Sequence, residues 1–139
     1  MKMKKYIALF LALLFALTLV SCGENKISGK EAKEQVNTLL DYVKAENFEN
    51  AQALVHPNRP IDFKVYFDGK EIEYNVDFQS GIEIKRYTGF SSALYDSEVD
   101  GGKYELDMDI IVSGRELELS VELVRNDRGY GIYDIDIDD

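Results

Sequence analysis

The chain has 139 residues, 26 Asp and Glu against 16 Lys and Arg, a formal charge of −10, one Cys and one His. This length holds one domain, and the acid excess excludes nucleic-acid binding by phosphate neutralisation. One Cys excludes an internal disulfide framework, one Cys with one His excludes a soft-ligand zinc cluster, and 45% hydrophobic residues exclude a disordered chain.

Lys2, Lys4 and Lys5 precede an uncharged run from Tyr6 to Val20, interrupted only by Thr18. As a helix this run would span about 22 Å, short of the roughly 30 Å hydrocarbon core. It therefore reads as a signal segment. It closes on Leu19-Val20-Ser21-Cys22, which resembles the lipobox of bacterial lipoproteins. That resemblance implies lipid transfer to the Cys22 sulfur, removal of residues 1–21, and a stable anchor on the extracytoplasmic face of the cell membrane. The leader takes 21 residues, three of them Lys and none acidic, so 118 residues with a charge of −13 remain. Residues 22–27 read as a polar tether and residues 28–139 as the domain.

Ser28 and Glu31 fit a capping box. Ala32, Val36, Leu39, Leu40 and Val43 then form one apolar stripe, which predicts a helix over 28–45. Asn47 suits the cap of a shorter helix with Phe48, Ala51, Leu54 and Val55 inward, ended by His56-Pro57.

Residues 61–78 admit two readings. Ile61, Phe63, Val65 and Phe67 alternate, Asp68-Gly69 suits a tight turn, and Ile72, Tyr74, Val76 and Phe78 alternate again; pattern favours this hairpin. As a helix, the same stretch would gather Phe63, Tyr66, Phe67 and Tyr74 on one face, with Ile61, Val65 and Ile72 opposite. A strand is expected over 82–87 and a loop over 88–102.

The last third reads as three strands. A turn at Ser113-Gly114 sets Ile110 against Leu117, Met108 against Leu119, Leu106 against Val121 and Tyr104 against Leu123, and a one-residue slip would expose them all. A turn over Arg125–Gly129 then predicts Tyr133 against Val121, Ile135 against Leu119 and Ile137 against Leu117. The expected fold is α+β, with N-terminal helices packed on a curved antiparallel sheet.

These registers place acids on the outer sheet face. Asp109, Glu118 and Asp136 form one row, Asp107, Ser120 and Asp134 the next, and Glu116 with Asp138 a third. Facing like charges repel, so water and salt, a basic protein partner, or Ca²⁺ must offset them. A sheet splays carboxylates rather than wrapping them round an ion, no EF-hand-type loop occurs, and neither a metal nor another cofactor is expected. His56 is expected to cap a helix or lie in an exposed loop. Tyr42, Tyr74, Tyr87, Tyr104 and Tyr133 are candidates to line a pocket.

The element order, with Leu54-Val55-His56-Pro57 after the second helix and Gly129-Tyr-Gly-Ile-Tyr-Asp-Ile-Asp136 in the closing strand, resembles the NTF2-like (cystatin-like) superfamily, particularly its small bacterial lipoproteins. The resemblance covers segments 28–56 and 103–137. It implies a third helix in the middle segment, against the hairpin reading, and a site in the concavity between helices and sheet. That family holds both binding modules and enzymes, so fold does not decide activity. The expectation is a non-enzymatic, membrane-anchored module for a small apolar ligand or a protein partner. The alternative is an NTF2-like enzyme using Tyr and Asp residues of the cavity.

Overall fold

The computed structural model describes residues 25–139. Helix α1 (Gly29–Lys44) starts at the expected capping box: Ser28 Oγ accepts from Glu31 N–H, and the Glu31 carboxylate accepts from Ser28 N–H. Its buried face is the predicted stripe of Ala32, Val36, Leu39, Leu40 and Val43. Helix α2 (Phe48–Gln52) is capped by Asn47.

Residues 63–74 form helix α3 (Phe63–Tyr74), which overturns the hairpin reading. Asp62 caps it by accepting from Val65 N–H, and Asn75 closes it in the left-handed conformation. Asp68-Gly69 lies inside the helix rather than at a turn. A mid-helix Gly costs about 1 kcal/mol, but burial decides the outcome. Phe63 and Phe67 are fully buried, and Phe67 meets Phe78 edge-on at 5.0 Å. Val65 and Ile72 stay exposed on the far side, as the helical spacing requires. A short 3₁₀ turn (Phe78–Ser80) follows.

Four antiparallel strands complete the α+β fold: β1 (Ile82–Asp96), β2 (Gly101–Val112), β3 (Arg115–Asn126) and β4 (Gly129–Asp138), in the order β1-β2-β3-β4. The β2–β3 register is the predicted one, including Ile110 against Leu117 and Tyr104 against Leu123.

Two expectations fail in the sheet. Residues 88–96 are strand, not loop. Register shifts after Ile84, Tyr87 and Ala93 break the alternation, and this stretch is mostly exposed, so the period-two signal is absent. The predicted β3–β4 register is also displaced: Leu119 faces Ile137 and Val121 faces Ile135. The turn is tighter, pairing Asn126 with Gly129, and an extra residue of β4 enters between Ile132 and Asp134. Ile132, not Tyr133, enters the core.

Ile132 is held from outside the sheet as well. Its N–H donates to Leu54 O at 2.7 Å, and its carbonyl accepts from His56 N–H at 2.8 Å. A Cβ on the adjacent Gly131 would lie 2.5 Å from His56 N, so only glycine permits this approach. Residues 25–27 of the expected tether also pack onto the domain. Ile27 is buried in the core and Lys26 O accepts from Arg125 at 2.7 Å. Cys22 and the signal segment lie outside the described residues.

Candidate functional site

The space between the helices and the sheet is core. Phe63, Phe67 and Phe78 fill it together with Leu39, Met108, Ile110, Leu119 and Ile137, all fully buried. The five candidate tyrosines do not converge there. Tyr42 is half-buried against the core from α1. Tyr74 closes α3 at one end of the sheet, its hydroxyl 3.3 Å from Ile137 O and 3.3 Å from Asp138 Oδ1. Desolvation and the neighbouring Glu73 and Asp138 push that hydroxyl up to about 12. Tyr133 sits at the β4 irregularity, edge-on to His56 and under the Arg59 guanidinium.

Tyr87 and Tyr104 share a hollow. It measures about 380 Å³ and lies between the start of α1 and β1, lined by Gly29, Lys33, Tyr87, Phe90, Tyr104 and Leu106. Phe90 stacks on Tyr104 with centroids 5.9 Å apart, and Lys33 Nζ lies 4.4 Å from the centre of the Tyr87 ring. A larger groove of about 560 Å³ separates α2 from α3 and includes Phe48, Ile61 and Lys64. Gln52 bridges its wall by hydrogen-bonding Ile61 O and Phe63 N–H, which gives that groove a structural explanation.

His56 is neither a helix cap nor exposed. It is 1% accessible. Asn58 N–H donates to Nδ1 at 3.1 Å, which leaves the ring proton on Nε2 facing Asn126 Oδ1 at 3.0 Å and Gly129 O at 3.2 Å. Asn126 Nδ2 donates in turn to Val99 O at 2.8 Å. This chain ties the segment after α2 to two sheet turns, and its polar groups are spent on that task.

The acidic outer face exists with altered rows. Asp109, Glu118 and Asp138 now lie side by side, and Asp107, Ser120 and Asp136 form the neighbouring row. Glu105, Glu122 and Asp134 form the third, while Glu116 faces Ile111, beyond the paired part of β4. Much of the compensation is internal. Arg86 Nε is 2.6 Å from Asp109, and Lys85 Nζ is 2.8 Å from Glu116, holding that carboxyl below its ordinary value. Lys103 reaches Glu122 and Asp96, Arg59 reaches Asp134, and Ser120 donates to Asp107 at 2.5 Å. Among the described residues no three His, Cys, Asp or Glu side chains converge to hold a metal ion.

The surface that sequence reasoning missed is the β1 edge. Phe90 is 70% exposed, Leu94 71% and Tyr95 64%. They belong to Tyr87–Tyr95, nine consecutive residues without charge in a chain that is 30% charged. That break in charge is the signal available from sequence. The two sheet edges differ sharply. On β4, Leu54 and His56 cover Ile132, and Asp134, Asp136 and Asp138 follow. On β1, the main chain of this run borders no further strand among the described residues. An open edge offers unpaired N–H and C=O groups to an added strand; natural sheets blunt it with charge, proline, a cover or bulges, and of these β1 carries register shifts that leave Gly89–Ala93 as its regular stretch.

Comparison with protein-family models, with curated proteins and with solved structures finds no match.

Proposed function

We propose that this chain is a lipid-anchored extracytoplasmic module of the NTF2-like (cystatin-like) kind that holds a protein partner along the β1 edge and has no catalytic role. The observation that carries this reading is the uncharged, exposed run Tyr87–Tyr95 on an open strand. Adding a strand there satisfies main-chain groups and covers Phe90 and Leu94 in one step. The filled concavity supports surface binding over chemistry in a cavity. An NTF2-like enzyme would need a Tyr–carboxylate pair in a deep pocket, whereas the Tyr74–Asp138 pair is part-buried at the end of the sheet with Tyr74 packed into the core, and Tyr95–Asp100 is exposed. A small apolar ligand seated on the Phe90–Tyr104 stack is the second reading, favoured by the hollow beside α1. The outer acidic face is demoted as a partner site because Arg86, Lys85 and Lys103 already lie within it.

The anchor rests on the Lys-rich leader and on Leu19-Val20-Ser21-Cys22. Cys22→Ser abolishes labelling by a radioactive fatty acid; persistent labelling overturns the anchor. For the edge, proteins captured by cross-linking on intact cells are lost with Phe90→Asp and kept when Glu118 and Asp136 are reversed to Lys. The opposite pattern returns the partner site to the acidic face.

A further inference from the structure

The β1 edge also carries a charge pattern that selects its occupant. Lys85 and Arg86 precede the uncharged run, and Asp96 and Glu98 follow it. The midpoint of residues 87–95 is Ser91. Laid antiparallel on a copy of itself about Ser91, the regular stretch Gly89–Ala93 sets Phe90 against Ser92, and with one register shift on either side of that stretch Arg86 comes near Asp96. Both charged side chains belong to the outer face, where Arg86 already pairs with Asp109 and Asp96 with Lys103, so contact between the copies extends these pairs rather than satisfying free charges. Phe90 faces the opposite, helix side through its stack on Tyr104. The strand is thus complementary to itself in charge and in face, as a two-fold contact requires.

We propose that the partner of the β1 edge is a second copy of this chain, joined through antiparallel β1–β1 pairing centred on Ser91 into one eight-stranded sheet. This rests on the reading of β1 as the binding edge. The two-fold axis stands perpendicular to the sheet, so the helices of both copies lie on one side and the acidic faces on the other. Asn25, the first described residue, lies on the helix side, because its carbonyl lies against Gly102, which alternation places on the same face as Tyr104. Lipid anchors on the two copies would then face one bilayer, with the acids turned away from it. Membrane insertion of Leu94 and Tyr95 is the competing occupant. It is disfavoured by Asp96, Glu98 and Asp100 at the same end, which anionic headgroups repel.

The contact is modest. The exposed apolar side chains of β1 offer roughly 500 Å² per copy, below the ~800 Å² of a standard interface. The dimer is accordingly weak in dilute solution and favoured where anchoring concentrates the chain.

The test uses the full-length chain in its own membranes. Ser91→Cys faces its counterpart with Cα atoms about 4.5–5.5 Å apart, within the roughly 4.4–6.8 Å range that a disulfide spans. Mild oxidation is expected to give a reducible dimer for Ser91→Cys, and none for Asp136→Cys on the other edge or for the parent chain. Ser91→Lys in a chain carrying Phe90 as a photo-crosslinking residue sets like charges face to face and lowers dimer adducts at least about fivefold. Monomer alone from Ser91→Cys, with photo-adducts from position 90 to a different protein, overturns the second-copy proposal and keeps the binding edge. Monomer with photo-adducts only to lipid, or with none, overturns both.

Discussion

The Arg86–Asp109 pair gives the most decisive stability experiment. Asp109 sits in the middle of β2, is 5% exposed, and faces Glu118 across the strand pair. Arg86 Nε reaches Asp109 Oδ2 at 2.6 Å, and another guanidinium nitrogen lies 3.6 Å from Glu116. Arg86→Met keeps much of the side-chain length and removes the cation. It leaves a buried carboxylate beside a like charge. Breaking a buried pair costs about 3–5 kcal/mol. The Arg86 side chain is 59% exposed, so water tempers the loss, and about 2–3 kcal/mol is expected. In urea denaturation this appears as a lower midpoint at unchanged slope. For a domain of this size it corresponds to a fall of about 10–15 °C in Tm. Packing loss is separated from charge loss by repeating Arg86→Met in an Asp109→Leu background, where the cost should shrink below about 0.5 kcal/mol. An Arg86→Met penalty under about 0.5 kcal/mol in the parent chain, or an equal penalty in both backgrounds, refutes internal compensation of the acidic face.

Three further outcomes follow from local geometry. Ser28 N–H and Arg125 hold the Glu31 carboxyl below its ordinary value, so its stabilisation is complete above the unfolded carboxyl range near pH 4.3 and is lost as pH falls through the lowered folded value. Glu31→Ala should therefore cost about 1 kcal/mol at pH 7, a gap that closes in acid when thermal melts are compared across pH. Gly131→Ala should cost at least about 2 kcal/mol by overpacking against His56, visible in the same melts. The Tyr130 hydroxyl is buried with no hydrogen-bond partner among the described residues, and desolvation pushes it up to about 12; Tyr130→Phe should be neutral or stabilise by about 1 kcal/mol, as read from the urea midpoint.

Legibility in the sequence followed the burial of one face. Helix α1 and the β2–β3 register were readable because every second or every third-to-fourth residue was apolar and buried. Helix α3 misled because aromatics at Phe63, Phe67, Tyr74 and Phe78 fit a period of two along the chain, while exposed Val65 and Ile72 blurred the helical stripe. Its caps, Asp62 and Asn75, were the better guide. The β3–β4 slip came from one extra residue at Tyr133, which no alternation rule announces. For the site, alternation puts the acids on one face, but Lys85 and Arg86 reach it from β1, whose pairing no alternation announces, whereas Lys103 shares that face by the alternation of β2 itself. His56 looked like a helix end because its partners, Asn126 and Gly129, lie 70 and 73 residues away.

We propose β1 as the working edge of the molecule. Its most direct measurement is a photo-crosslinking scan of the full-length chain in intact cells, with the reactive residue placed in turn at Phe90 and Leu94 on β1, Glu118 on β3 and Asp136 on β4. Discrete protein adducts are expected at Phe90 and Leu94 and background at Glu118 and Asp136. Adducts confined to Glu118 and Asp136, with β1 silent, would contradict it.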